Sequence, residues 1–502
     1  MKNRIVITTG TISITYGGKT KAIIERANML VSQGYEVVLV TTNNDLNDLY
    51  AIDHIKRRGE LNNDVQFVNY YSSSFVNIFD NFLNYMSKEV PDYKSLILKV
   101  HDNKDSLLLN GKQRIVLQKT ASNRYKKIDF YRPNEPETPY KRIYLDPYQN
   151  VRRTRQFQQG TWEKKWDTTL DAEFNVLAEK GPGDRSGAIL ESVNFDTDEA
   201  WLAYRLDTIL HYNDIVINDE PLFSLALNDL KYLKKRIHVF HMNHLTNPQD
   251  VNSTIRKPYE KIMKRIGYYS DDLLVVLTEQ QKSEILDRYP EIPNQIVIIP
   301  HAYETTPKLT ELPISLRRLR LQNFKSKLGM NMTMRHIGVV TRLVQGKRVD
   351  EAIKAFALIT EKYPNYTFDV YGSGDEESEL KELVKQLGLE ERVRFMGYVS
   401  DTDTVYRKLD FTVMTSEHEG FALSVLESIA NGTPVISYPV KYGPSSIIDG
   451  IAGRVTNTRN VNELADLMKK EIEHPTSRLI VSQRAKFYSF EKYKENWLKV
   501  LS

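Results

Sequence analysis

The first forty residues carry apolar positions in two different periods. Arg4-Ile5-Val6-Ile7-Thr8 is a short β-branched run and predicts a strand. A polar loop follows and ends at Gly17 and Gly18. From about Thr20 to Ser32 the apolar residues Ala22, Ile23, Ala27, Leu30 and Val31 recur at helical spacing. Gly34 closes that helix as a C-cap, and Glu36-Val37-Val38-Leu39-Val40-Thr41 predicts the next buried strand. Strand, glycine turn, helix, strand is the opening of a doubly wound parallel sheet.

After about residue 90 the rhythm changes. Residues 111–118, 124–131 and 140–145 predict short strands, separated by polar turns such as Pro133-Asn134-Glu135-Pro136-Glu137. Short strands in succession without helices predict an antiparallel meander, so 85–195 is expected to be a β-rich insertion. The α/β pattern resumes at Asp214–Ile217, Arg236–Phe240, Leu273–Leu277 and Gln295–Pro300. A second α/β unit starts near Arg335, with strands at His336–Val340, Thr367–Tyr371, Val393–Met396, Phe411–Met414 and Pro434–Ser437. The fold class expected is α/β: two Rossmann-like domains facing a cleft, with an antiparallel insertion in the first. The expected boundaries are 1–84 and 196–305 for the two parts of the N-terminal domain and 85–195 for the insertion. They continue with 306–485 for the C-terminal domain and 486–502 for a terminal helix crossing back.

Composition narrows the class. A chain of 502 residues exceeds one domain, and 41% hydrophobic with 27% charged residues is globular rather than disordered. There is no cysteine, which removes thiolate metal sites and cysteine nucleophiles and fits a reducing compartment. No apolar run reaches the roughly 18 residues of a membrane span. The basic start lacks a continuous apolar run after it, so no signal peptide is expected. The expectation is a soluble, cytoplasmic protein, at most peripheral at the inner face of the membrane.

The net charge of +4 hides a local excess: 111–170 holds fourteen Lys/Arg against six Asp/Glu, leaving the remainder at −4. Nine aromatics lie in the same stretch, from Tyr125 to Trp166. Two readings stand side by side. One is a solvated sheet face with aromatic cross-strand pairs; the other is a surface for a polyanion. No RNA-binding or helix-turn-helix motif accompanies the charge, so nucleic acid is not an expected partner.

Three segments carry candidate chemistry. Gly17-Gly18-Lys19-Thr20 precedes a helix, where amides and the positive end of the dipole suit phosphate. It has the spacing of neither GxGxxG nor a Walker A loop, and a tight turn explains it equally. Thr341-Arg342-Leu343-Val344-Gln345-Gly346-Lys347 follows a strand at its ligand end, and a planar fork with a point charge suits a diphosphate. Taken alone, those two cations also read as surface charge. In Glu419-Gly420-Phe421-Ala422-Leu423-Ser424-Val425-Leu426-Glu427, one carboxylate precedes a glycine turn and the other lies eight residues on within an apolar helix. Carboxylates so placed can bind sugar hydroxyls, and amides from Gly420 to Leu423 can meet phosphate oxygens. His241 and His244 follow a strand and are expected at the ligand end of the sheet. No acidic cluster accompanies them, so no metal is expected.

The spacing of Glu419 and Glu427, with Gly-Phe-Ala-Leu-Ser between them, resembles the signature of retaining GT-B glycosyltransferases. Val370-Tyr371-Gly372-Ser373-Gly374 and Phe395-Met396-Gly397-Tyr398 fall where that family has a glycine turn and a base-binding turn. Tyr16-Gly17-Gly18-Lys19-Thr20-Lys21, the basic insertion, His241-Met242-Asn243-His244 and Lys441-Tyr442-Gly443-Pro444 resemble a bacterial subgroup. It comprises the wall teichoic acid α-glycosyltransferases, the poly(glycerol-phosphate) α-glucosyltransferase type foremost, and the glycosyltransferases of serine-rich adhesins.

The resemblance implies hexose transfer with retention from a UDP-sugar, UDP-glucose or UDP-N-acetylglucosamine, without metal or other cofactor. Arg342 and Lys347 would stabilise the leaving diphosphate. Glu427 would bind the ribose, and the backbone at Tyr398 and Val399 the base. Glu419 would sit at the transferred sugar, and His244 at the sugar or acceptor. Gly17, Gly18, Gly420, Phe421, Leu423 and Ser424 complete the donor site, and His241, Lys19, Arg152, Arg153 and Arg155 the acceptor side. The acceptor would be a polyanionic polyol-phosphate polymer, alternatively serines of a serine-rich protein. The insertion would bind acceptor, assemble a homo-oligomer, or do both. A rival of another class is a non-catalytic partner subunit, which should lack part of the donor set that this chain retains.

Overall fold

The computed structural model describes residues 3–13, 17–41, 47–69, the strands of the 97–194 segment, 206–266 apart from 208, 222, 223, 229 and 231, then 272–303 and 334–502. The chain divides into two compact units, Met1–Val239 with Lys261–Leu273, and Phe240–Glu260 with Leu274–Ser502. Tyr16 and the 306–333 start of the expected C-terminal domain lie outside the described residues, as do the side chains of Arg152 and Arg153.

In the first unit, five parallel strands lie in the order Lys235–Val239, Ile215–Asn218, Arg4–Thr9, Glu36–Thr41, Gln66–Asn69. Their runs are buried on both faces, as parallel strands require: Ile5, Val6, Ile7, Val37, Val38, Leu39, Ile215, Val216 and Ile217 are each fully buried. The first helix, Gly18–Ser32, begins two residues earlier than its apolar spacing predicts, with Gly17 as an N-cap that offers no side-chain bond. The chain steps outward from Arg4–Thr9 through two strands and returns on the other side with Ile215–Asn218. That reversal is a topological switch point, so the loops after both strands meet.

The insertion is a ten-stranded antiparallel meander in simple sequence order, from Ile97–Val100 to Val193–Asn194. Ile115, Ile128, Phe130 and Ile143 line a fully buried stripe across neighbouring strands. One expectation is corrected here: Glu135, Pro136 and Glu137 belong to the strand Glu135–Leu145, not to a turn. Register shifts between Phe130 and Arg132, with Tyr131 opposite Pro139, absorb a proline that a regular ladder would reject.

The second unit holds a six-stranded parallel sheet in the order Val393–Gly397, Tyr366–Tyr371, Arg335–Val340, Phe411–Met414, Val435–Ser437, Gly453–Val455. Residues Leu274–Val276 pair in parallel with strand Ile296–Ile298 within the same unit. Helix Val349–Ala357 packs Val349, Ala352, Ile353 and Phe356 into the core beside Phe368 and Val370. Each large apolar side chain buried in this way contributes roughly 1.5–3 kcal/mol. Helix starts are fixed locally: Asn460 accepts from the amides of Asn462 and Glu463, and Thr278 from that of Gln281. The terminal helix runs Phe490–Leu501, with Tyr493 and Trp497 buried. The switch point of this sheet lies between Arg335–Val340 and Phe411–Met414. The segments leaving those strands are 341–347 and 415–419.

Candidate active site

Strand order alone brings the predicted cation and carboxylate together. Lys347 Nζ lies 2.5 Å from Glu419 Oε1, and Ser416 Oγ donates to the same oxygen at 2.7 Å. Both side chains are largely buried, at 21% and 13% exposure, so the pair is shielded from bulk water. Arg342 stands apart: it is exposed, and among the described residues its side chain has no hydrogen-bond or ion-pair partner. Its turn is held from behind by glycines. A Cβ at Gly372 would lie 1.8 Å from the Thr341 carbonyl oxygen, and one at Gly374 2.2 Å from that of Leu343. Leu343 N–H donates to the Ser373 carbonyl at 2.9 Å. Only glycine lets the two turns approach so closely.

Glu419 and Gly420 are braced by backbone on two sides. Glu419 N–H donates to the Lys441 carbonyl at 2.9 Å, and Tyr442 N–H to the Glu419 carbonyl at 2.8 Å. A Cβ at Gly420 would sit 1.6 Å from the His241 carbonyl oxygen. Helix Leu423–Ala430 starts from Ala422 in the left-handed region, φ 68°, with no side-chain cap. The N–H groups of Leu423 and Ser424 at its start take no side-chain cap, and the positive end of the helix dipole lies there. Phe421 is buried and packs edge-on against His301, ring centroids 5.4 Å apart. Glu427 lies on this helix, half-buried, with the Tyr406 hydroxyl 3.4 Å from Oε2. Burial, with Glu427 nearby, pushes the Tyr406 phenol well up, so it stays a donor. Tyr398, at the expected base-binding turn, is 65% exposed, and Val399 beside it is half-buried.

The two histidines part company. His241 stacks on His301 at 5.4 Å between ring centroids. His244 is fully buried, stacked parallel to Tyr442 at 6.1 Å, and neither ring nitrogen has a hydrogen-bond partner among the described residues. Burial pushes its imidazole down to about 4 against the opposing pull of Glu284, so the ring is neutral at pH 7. A neutral imidazole has one donor and one acceptor nitrogen, and both are enclosed here.

Sequence reasoning missed the group beside it. Glu284 Oε1 pairs with Lys441 Nζ at 2.7 Å, and Glu284 Oε2 accepts from the Tyr442 hydroxyl at 2.5 Å. Burial raises the Glu284 carboxyl, but the bonds from Lys441 and Tyr442 outweigh it and hold the group below its ordinary value. Nothing in the local sequence around Glu284 marks it.

In the first unit, Lys19 Nζ lies 3.3 Å from Glu220 Oε2, at the switch point of that sheet, and Arg26 forms a buried ion pair with Asp219. Gly17 and Gly18 open the helix beside them. In the insertion, Arg155 is half-buried with its guanidinium carbon 5.7 Å from the Tyr144 ring centroid. Arg142, opposite it on the next strand, is paired with Asp129. Arg152 and Arg153 share the strand Val151–Phe157. Among the described residues no three His, Asp or Glu side chains are grouped as a metal site, and no helix is long and apolar enough to cross a membrane.

The family of glycosyl transferases group 1 matches residues 322–487, the span that contains Lys347, Glu419 and Glu427. The chain is a glycosyltransferase. The poly(glycerol-phosphate) α-glucosyltransferase of Bacillus subtilis is 24% identical over 527 aligned positions, covering 98% of this chain and 74% of that one. Among solved structures, a mutant of Staphylococcus aureus TarM in complex with fondaparinux, α-GlcNAc-glycerol and UDP superposes with a TM-score of 0.78 at 19% identity, over 100% of both chains. The pneumococcal O-GlcNAc transferase GtfA, in complex with UDP and GlcNAc, gives 0.77 at 16% identity, over 100% of this chain and 98% of that one. The fold of this glycosyltransferase is therefore GT-B, with Rossmann-like parallel sheets and an antiparallel insertion, as the sequence led us to expect.

Proposed function

We propose that this glycosyltransferase moves a hexose, glucose or N-acetylglucosamine, from a UDP-sugar to hydroxyls of a polyol-phosphate wall teichoic acid polymer, with retention. The observation that carries the reading is the Lys347–Glu419 pair at the switch point, beside an uncapped helix start, in a chain similar along nearly its whole length to a poly(glycerol-phosphate) α-glucosyltransferase. In this reading the bond from the anomeric carbon to the diphosphate breaks while the acceptor oxygen bonds to the same face. The acceptor's proton passes to the departing phosphate oxygen. Lys347, Arg342 and the amides of Leu423 and Ser424 offset the charge that develops on the diphosphate. Glu419 holds the hexose, Glu427 the ribose, the turn at Tyr398 and Val399 the base, and His244 a sugar or acceptor hydroxyl. No metal is required, because cation and helix amides already meet the charge.

On the acceptor side, the charge excess of 111–170 supports a polyanion. The same insertion is proposed to join copies of the chain, acting in the cytoplasm and at most peripheral to the membrane. A serine-rich protein acceptor is the second reading, favoured by the likeness to GtfA. The deciding experiment incubates the purified chain with UDP-glucose or UDP-N-acetylglucosamine and one of three acceptors: poly(glycerol-phosphate), poly(ribitol-phosphate) or a Ser-Asp repeat peptide. Products are read by mass. Mass added to a polymer supports the first reading, mass added only to the peptide the second, and no transfer to any of the three defeats both.

A further inference from the structure

Helix Glu279–Leu286 carries no motif residue and has no part in the chemistry proposed above. Two of its side chains nevertheless reach the two backbone segments that bracket Glu419 and Gly420. On one side, Gln281 Nε2 donates to the Met242 carbonyl at 3.0 Å, one residue from the His241 carbonyl that is packed against Gly420. On the other side, Glu284 takes Lys441 Nζ on one carboxylate oxygen and the Tyr442 hydroxyl on the other, at 2.7 and 2.5 Å. Lys441 and Tyr442 are the residues whose backbone exchanges two hydrogen bonds with Glu419.

We propose that Glu284 is a positioning residue for Glu419: it fixes the Lys441–Tyr442 backbone on which the Glu419 carboxylate, and hence the sugar it holds, is registered. The catalytic half of this inference rests on the function proposed above. The residue type is specific to the task. A carboxylate is acceptor-only with two oxygens, so it can satisfy a cation and a hydroxyl at once. Glutamine keeps a single acceptor oxygen and turns its amide toward a cation or a hydroxyl. Tyr442 is fully buried and Lys441 is only 21% exposed at its side chain, so water does not readily replace a lost grip. Misplacing a reacting group by about 1 Å can cost on the order of a hundredfold in rate.

The test uses the full chain with Glu284→Ala and Glu284→Gln. Hydrogen–deuterium exchange of peptides covering 416–424 is expected to quicken about tenfold or more in Glu284→Ala, less in Glu284→Gln, with the Arg335–Val340 strand unchanged. In parallel, kcat for sugar transfer is expected to fall at least tenfold while KM for the UDP-sugar stays within about threefold. Tyr442→Phe and Lys441→Met should each give part of the loss and add little to Glu284→Ala. Unchanged exchange at 416–424 overturns the proposal, as does a kcat that falls only in proportion to the unfolded fraction. Should Glu284→Ala not fold, Glu284→Gln carries both readouts. If the native chain neither transfers nor hydrolyses any UDP-hexose, the proposed function fails, and the exchange data alone decide whether Glu284 registers Glu419.

Discussion

Lys347 Nζ is bonded at 2.5 Å to Glu419 Oε1, so the cation assigned to the diphosphate and the carboxylate assigned to the sugar are partners in one ion pair. In the proposed mechanism a donor entering the site competes with Glu419 for Lys347. Removing either residue leaves the other charge largely buried without its partner, which is costly in a shielded site.

The two substitutions should fail differently. Lys347→Ala is expected to weaken UDP binding by about tenfold or more and to lower kcat as well. Glu419→Gln should lower kcat by about a hundredfold while the Kd for UDP stays within about threefold, because its proposed ligand is the hexose. Because the residues touch, the double variant should lose less than the two losses combined. Titration calorimetry with UDP and steady-state rates measure both. A collapse of UDP affinity in Glu419→Gln with survival in Lys347→Ala would reverse the roles.

Gly420→Ala should be far more damaging than Gly17→Ala. At Gly420 a Cβ meets backbone at 1.6 Å, and neither segment can give way without moving Glu419. At Gly17 nothing lies within 4 Å. Thermal melts should show a loss of about 3 kcal/mol or more for Gly420→Ala. For Gly17→Ala the loss should be about 1 kcal/mol or less.

Acid should destabilise both units. His238, buried in the first, is pushed down to about 3, and His244, in the second, to about 4, burial being the main cause in each. Between those values and the ordinary 6.5 the unfolded chain binds more protons than the folded one, so stability is full above pH 6.5 and falls as pH drops. Tyr442, Lys441, Glu284 and Arg288 surround His244; burial keeps it neutral, Arg288 and Lys441 act in the same sense, and Glu284 opposes them. His244→Gln should flatten the pH dependence of denaturant midpoints between pH 6.5 and 4, by a total of about 3 kcal/mol. A slope identical to that of the native chain would refute the assignment.

Reversing charge at Arg152 and Arg153 should raise the apparent KM for long polyol-phosphate polymer severalfold at low salt, with donor hydrolysis unchanged. The effect should fade at high salt, where the Debye length falls to about 3 Å at 1 M. Arg155 is the wrong residue for this test, because its guanidinium packs on Tyr144 and its reversal would disturb the sheet. Equal behaviour of long and short acceptors at all salt concentrations would show that the basic face is merely solvated.

Activity should survive EDTA undiminished. Loss of transfer with EDTA and recovery with Mn²⁺ would require a metal that the proposed chemistry does not use.

What the sequence revealed follows from the range of the interactions involved. Strands such as Ile5–Ile7 and Val37–Val40 are buried on both faces and read directly as β-branched runs. Gln66–Asn69 and Gly453–Val455 went unpredicted, because three or four residues carry too little pattern to stand out. The motif residues Lys347 and Glu419 were legible because each follows a strand end. Their ion pair was not, since it depends on strand order across 72 positions. The Tyr442–Glu284 bond spans 158 positions, and only the folded chain brings those two residues together.

Strand order also dictates when each part of this protein can fold. Every hairpin of the meander joins neighbouring strands, so its loops close at small entropic cost as soon as the second strand emerges from the ribosome. Ile5, by contrast, must wait for Ile215, 210 residues later, to gain its second strand partner. During synthesis the chain therefore carries an unfinished parallel sheet whose Arg4–Thr9 edge is apolar and unpaired on one side, while the insertion behind it is already complete. An apolar strand edge left unpaired in this way is open to pairing with another chain until Ile215–Asn218 has been made.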